Sequence, residues 1–362
     1  MPEYDAFHPG QVWLDTNGNR IHAHGGSIIV DDGVYYWYGE NKEHSTPGSG
    51  VWTWGIRCYS STDLYNWADR GLIIPPNLDD PTSPLHPSQM IDRPHIIRND
   101  HTGKYVCWLK IMGQDESQRC TVLTADALLG PYEIVRTGLR PLGMNAGDCD
   151  LVVDPVDGKG YYYFERVHSE LICADLTPDY TDVTGYYSTH FPRPHPPTVR
   201  EAPAHFRRSG KHYLITSGTT WYYPNPSEIA VADTYHGPYT VLGDPHRFDT
   251  SGTSYRSQIS SVFRHPTVDD LYIALADRWL PHLSEAESDH TQAFHDDFAA
   301  KEAGRRYSTF TLPEAETSLA TYVWLPIRFD SGIPVIDWHD KWRIQDLPRP
   351  SKHSDVDREA CG

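Results

Sequence analysis

Gly26-Ser-Ile-Ile-Val-Asp-Asp-Gly33-Val-Tyr-Tyr-Trp-Tyr-Gly39-Glu40 consists of two apolar runs joined by Asp-Gly. That pattern is the strongest short-range signal for a β-hairpin. The same form returns four times. The copies are His95 to Leu109 around Gly103, Leu151 to Phe164 around Gly158, Ala204 to Thr216 around Gly210, and Ser261 to Leu275 around Asp270. A second phrase follows several of these hairpins. Ile56 to Trp67, Cys120 to Tyr132 and Ile229 to Tyr239 each read as a strand and a polar turn closed by an aromatic residue. The last two share the wording Ala-Asp…Gly-Pro-Tyr, and these segments suit a third and fourth strand.

Five such units at a spacing of roughly fifty residues predict an all-β chain folded as a five-bladed β-propeller. A β-sandwich with coincidental hairpins is the alternative, and the repetition favours the propeller. The predicted propeller domain spans residues 1–347. A polar, Ala/Glu-rich excursion over about 284–306 interrupts the last unit, with one helix expected from Gln292 to Ala303. Strands are expected again from Ala320 and from Pro334, and the Pro- and charge-rich segment 348–362 reads as a flexible tail.

Composition bounds the function. The chain has 362 residues, 38% of them hydrophobic and 22% charged, which suffices for a large core. Its net charge of −18 argues against nucleic acid or an anionic membrane as a partner, and suits a neutral ligand. The 11 Trp and 23 Tyr supply amphipathic surface suited to sugar rings as well as to a core. Met1-Pro-Glu-Tyr-Asp5 has neither the basic nor the apolar part of a secretory signal, and no run approaches the length of a membrane helix. Six cysteines without CxxC spacing read as reduced thiols, so a cytoplasmic protein is expected. No GxSxG elbow, phosphate-binding Gly loop or HExxH is present.

In a propeller the innermost strands converge on one axis, so residues at their starts share a pocket. Those starts carry His22 and His24, Asp92-Arg93-Pro94-His95, Asp148-Cys149-Asp150, Glu201-Ala202-Pro203 and Ser257-Gln258. Asp92, Asp148, Glu201 and Gln258 are therefore expected to face one small space. Crowded carboxylates repel one another, so one should keep its proton near neutral pH. A protonated carboxyl beside an ionised one is the equipment for cleaving a glycosidic bond, with Glu201 as the candidate proton donor. Asp92-Arg93 also admits a purely structural reading, as an ion pair at a strand start. His22, His24, His95 and His205 match no tight metal motif and read as hydrogen-bonding histidines. No cofactor is expected, although a structural calcium on the axis is conceivable.

Nine phrases in order along the chain carry a resemblance. They are Asp15-Thr-Asn-Gly-Asn, Ile21-His-Ala-His-Gly25-Gly, Tyr35-Tyr-Trp-Tyr-Gly-Glu40-Asn-Lys, Asp92-Arg-Pro, Pro141-Leu-Gly143, Glu201-Ala-Pro203, Tyr223-Pro-Asn225, Ser257-Gln258 and Asp277-Arg-Trp279. With these the sequence resembles glycoside hydrolase family 43, inverting sugar hydrolases built on five-bladed propellers, and in particular its exo-β-1,3-galactanase branch. The resemblance implies Glu201 as general acid and Asp148 as the carboxylate that tunes the acid and holds the sugar. The family's usual base, an Asp before the first blade strand, is missing. His24-Gly25-Gly26 stands there instead. The resemblance then implies Gln258 as the group that orients or activates water. An ordinary amide is a very poor base, so activation requires a rare tautomer.

Glu40, Asp92, Thr219, Trp221 and Arg278 are implied as sugar contacts. Asp92 stands where the branch more often has Glu, and Trp221-Tyr-Tyr223 departs from its usual Gly-Trp. The implied function is inverting release of a terminal sugar, galactose from a small β-1,3-linked galacto-oligosaccharide. An α-L-arabinofuranosidase or β-xylosidase of the same family is one alternative. A non-catalytic sugar-binding propeller is the other, because the usual base is absent. Oligomeric state is not legible in the sequence.

Overall fold

The computed structural model describes residues 3–113, 117–283, 291–302 and 315–347. Among these, twenty strands form five four-stranded antiparallel sheets, each consecutive along the chain. Blade 1 holds β1 to β4 (His24–Asp31, Val34–Glu40, Ile56–Ser61, Ala68–Ile74), and blade 2 holds β5 to β8 (Met90–Arg98, Tyr105–Met112, Gln118–Ala125, Glu133–Leu139). Blade 3 holds β9 to β12 (Ala146–Val153, Gly160–Arg166, Glu170–Leu176, Val183–His190). Blade 4 holds β13 to β16 (Glu201–Arg208, Lys211–Ser217, Glu228–Ala232, Thr240–Gly243), and blade 5 holds β17 to β20 (Gln258–Arg264, Tyr272–Arg278, Thr321–Asp330, Ile333–Ile336).

The first strand of each blade touches its counterpart in the next, β1 to β5 to β9 to β13 to β17, and β17 returns to β1. That closed circuit of inner strands makes the molecule a five-bladed propeller, and it brings blade starts from residue 24 to residue 258 onto one axis. The ring is tied where the chain ends meet: Phe7 and Trp342 exchange backbone hydrogen bonds of 2.9 and 3.1 Å, and their rings stack at 4.2 Å.

Hairpin chemistry explains the strands. Asp32 and Gly33 both have positive φ, the twist a two-residue turn requires. Alternation then sends Tyr35 and Trp37 into the aromatic core between blades 1 and 5, where Trp37 meets Trp324 at 4.5 Å. Blade 3 also carries β11 and β12, whose connecting turn lacks the Gly-Pro-Tyr wording shared by blades 2 and 4. The expected helix runs Thr291–Glu302, one residue earlier than Gln292 to Ala303. The rest of the excursion near 284–306 lies largely outside the described residues, as does the tail 348–362. Cys58, Cys107, Cys120, Cys149 and Cys173 are buried free thiols, and Cys361 lies outside the described residues.

Candidate active site

Four of the five inner strands open with an irregularity in register: His24/Ser27, Asp92/His95, Glu201/Ala204 and Ile259/Ser261. In β9 the slip falls where Ala146 and Cys149 pair with β10. Bulges bend a strand and re-aim a side chain, and they tolerate proline, which cannot donate to the ladder. Arg93 and Ala202, each just before a proline, take φ values of 50° and 48°. These departures from ordinary backbone turn Asp92, Arg93 and Glu201 toward the axis, where a cavity of about 800 Å³ opens.

Around the axis the cavity wall carries the carboxyls of Glu40, Asp92, Asp148, Glu165 and Glu201 and the cations Arg93 and Lys110, while Arg140 and Asp297 also line the cavity. Arg93 binds Asp148 at 2.9–3.0 Å and also donates to the Gln258 carbonyl. Lys110 bridges Asp148 at 3.1 Å and Asp92 at 3.3 Å. Asp92 accepts a 2.7 Å bond from the Trp52 indole. Glu40 accepts from the Arg93 backbone at 3.0 Å and pairs with Lys42 at 2.8 Å. The Asp92-Arg93 phrase is thus not the local ion pair that its adjacency suggested. The bulge turns the guanidinium toward Asp148 on blade 3.

Glu201 keeps one face open to the cavity and receives a 3.2 Å hydrogen bond from the Gln258 amide. Burial raises its pKa well above the ordinary carboxylate value, and the charges of Asp148 and Glu165 raise it further. The protonated acid anticipated from crowding therefore owes more to burial than to repulsion. Asp148 behaves in the opposite way. Burial pushes it up, but Arg93 and Lys110 outweigh that and hold it at about 2. Glu165 is raised by burial to about 7, and so is Glu40, against the pull of Lys42. The site therefore holds one carboxyl that keeps its proton beside one that stays ionised.

Gln258 is fully engaged. Its nitrogen donates to Glu201 and, at 2.9 Å, to Ser217 Oγ, while its oxygen accepts from Arg93 and from the Trp279 indole. An amide oxygen has two lone pairs, and both are taken. The contact with Glu201 also falls far short of the roughly 6.5–9.5 Å that separates acid from base in inverting enzymes. This geometry speaks against Gln258 as a proton acceptor and suits it to positioning.

Thr219 lines the cavity, with its hydroxyl donated to Val199 O at 3.1 Å. Trp221 is 44% exposed at the rim. It meets Trp52 at 5.7 Å, and Tyr222 spans from Trp52 to Trp279 at 5.8 and 5.2 Å. Arg278 does not join them. It donates to Tyr255 O at 2.9 Å and packs over Trp338, away from the cavity. Period-two alternation explains the correction, because Trp279 lines the cavity and its neighbour points to the other face.

A family model of glycosyl hydrolases family 43 matches residues 21–277, most of the chain. The chain belongs to glycosyl hydrolases family 43. It is a glycoside hydrolase. Among solved structures, the GH43 β-1,3-galactosidase BT3683 is 29% identical with a TM-score of 0.75, over 93% of this chain and 100% of that one. The GH43 β-1,3-galactosidase BT0265 is 27% identical with a TM-score of 0.76, over 95% of this chain but 64% of its own. An exo-β-1,3-galactanase from Clostridium thermocellum is 27% identical with a TM-score of 0.72, over 93% and 66%. The family-43 chain thus spans about two-thirds of the last two and all of the first. No curated protein matches it.

Within this glycoside hydrolase, Lys110, Glu165, Trp52, Tyr222 and Arg93's link to blade 3 are contributors not anticipated from sequence. Lys110 did leave a signal, a lone cation inside the apolar strand Tyr105–Met112. Glu165 left less, at the end of Tyr161-Tyr-Tyr-Phe. Three of the four histidines have side-chain partners within the fold. His24 pairs with Asp277 at 2.9 Å, His95 with Asp150 at 3.2 Å and His205 with His212 at 3.1 Å. Burial lowers the pKa of His22 and His24, which favours the neutral ring. Among the described residues no group of three or more His, Cys, Asp or Glu could hold a metal ion.

Proposed function

We propose that the enzyme is an inverting exo-hydrolase that releases terminal galactose from short β-1,3-linked galacto-oligosaccharides. The observation that carries this reading is the pairing of Glu201, whose environment retains its proton, with Asp148, held ionised by Arg93 and Lys110. The galactose and β-1,3 parts draw on the relatives named as β-1,3-galactosidases. Glu201 protonates the leaving oxygen as the bond to the anomeric carbon breaks. Asp148 keeps the acid's pKa high and engages the sugar. Gln258 holds the Glu201 carboxyl in position for that transfer.

Inversion requires water to attack from the face opposite the acid. Glu201 stands on blade 4, and blades 1 and 2 lie across the axis from it. Their carboxyls, Glu40 and Asp92, are the groups available to take the proton that water sheds, and also to bind sugar hydroxyls. Trp221, packed against Trp52, and Thr219 line the same cavity. With a cytoplasmic location, the substrates are short imported oligosaccharides rather than polymer.

The test is hydrolysis of β-1,3-galactobiose followed by proton NMR. The α-anomer of galactose should appear first and then mutarotate. First appearance of the β-anomer contradicts inversion. Turnover of aryl arabinofuranosides or xylosides, with galactobiose untouched, contradicts the substrate.

A further inference from the structure

We propose that the helix Thr291–Glu302, with the outer ends of blades 2 and 3, builds a leaving-group subsite that holds the sugar on the far side of the scissile bond. This rests on the glycosidase reading above. The cavity of about 800 Å³ is the first reason. Pockets for drug-sized ligands run to roughly 300–1,000 Å³, and a single monosaccharide is smaller than that. The acid cluster accounts for only the axial part of the wall.

The second reason is Gln118. It lines the cavity, and its side chain is nearly fully buried. Its nitrogen makes only a long 3.8 Å contact to Met112 Sδ, and its carbonyl oxygen has no partner among the described residues. A buried acceptor left empty is costly, and a ligand hydroxyl removes the cost. Register places it. Met90 on the inner strand pairs with Met112, which pairs with Gln118. Two strand spacings set it about 10 Å outward from the axial strand, beyond the groups around Glu201.

The third reason is the helix. It departs from blade 5, between β18 and β19, yet reaches across the cavity mouth. Phe298 meets His168 of blade 3 at 5.1 Å, and His295 meets His195, in the chain between blades 3 and 4, at the same distance. Phe294 and Phe298, one turn apart, both line the cavity. An aromatic face and a buried amide acceptor are the two elements that grip a neutral sugar: the ring takes its CH face and the amide takes a hydroxyl. The helix therefore serves as the outer wall for the departing sugar, and Gln118 as its hydrogen-bond anchor.

The experiment compares β-1,3-galactobiose with β-galactosyl fluoride, whose leaving group has no sugar to bind. In Phe298→Ala and Gln118→Leu, the ratio of kcat/KM on galactobiose to kcat/KM on the fluoride should fall by about tenfold. An unchanged ratio overturns the subsite, whether both values hold or both fall together. Gln118 lies in a regular strand, so Gln118→Leu carries the test if Phe298→Ala fails to fold by thermal melting. If the unmodified enzyme hydrolyses neither substrate, the galactosidase reading fails first and the subsite falls with it.

Discussion

The amide of Gln258 donates to the carboxyl of Glu201 at 3.2 Å, joining two residues 57 positions apart on adjacent blades. The other end of the same amide is held by Arg93 from blade 2. One neutral group thus separates the guanidinium from the acid. A carboxylate in its place would bind Arg93 more tightly and set a negative charge against Glu201. In Gln258→Glu the ionised form of Glu201 is disfavoured, so its pKa rises. The basic limb of the kcat/KM profile should move to higher pH, while kcat falls because the positioning hydrogen bond is lost. A profile whose basic limb stays put shows that Glu201 does not set it.

Asp148 gives the opposite shift. Asp148→Asn removes the negative charge that helps keep Glu201 protonated, so the basic limb should move to lower pH. It also leaves Arg93 and Lys110 short of a buried counter-charge. Breaking such a pair costs about 3–5 kcal/mol, visible in chemical denaturation. A variant as stable as the parent, with the same pH profile, contradicts the network drawn here.

Stability should also depend on pH. Glu40 and Glu165 sit at about 7 in the folded protein against an ordinary 4.5. Between those values the folded state binds more protons than the unfolded one, so stability falls as pH rises through the window. Asp148, at about 2 against 3.8, contributes stability that is lost as pH falls through that lower interval. In Glu165→Gln the decline in unfolding free energy between pH 4.5 and 7 should be shallower than in the parent. An equal slope in both proteins removes Glu165 from the account.

The blades were legible because each hairpin announces itself locally, through a Gly or Asp turn between apolar runs. So was the convergence of Asp92, Asp148, Glu201 and Gln258, since closure of the ring follows from the repeat. The partners of those residues were not. Arg93 reaches Asp148 because a bulge gives it a positive φ, and no pattern in the sequence specifies that rotation. Lys110 shows as an anomaly within a strand, but its two carboxylates come from other strands. The resemblance implies Arg278 as a sugar contact, and strand alternation turns it away from the cavity to Tyr255 and Trp338. Trp52 lies in a loop after β2, and only the fold brings it beside Trp221 from blade 4.

The most direct measurement is turnover of β-1,3-galactobiose by Glu201→Gln, with folding checked by thermal melting and galactose binding by calorimetry. General acid catalysis contributes about 10²–10⁴-fold, so kcat should fall by that factor while the folded protein still binds the sugar. A folded Glu201→Gln variant that turns over as fast as the parent contradicts the assignment of the proton donor.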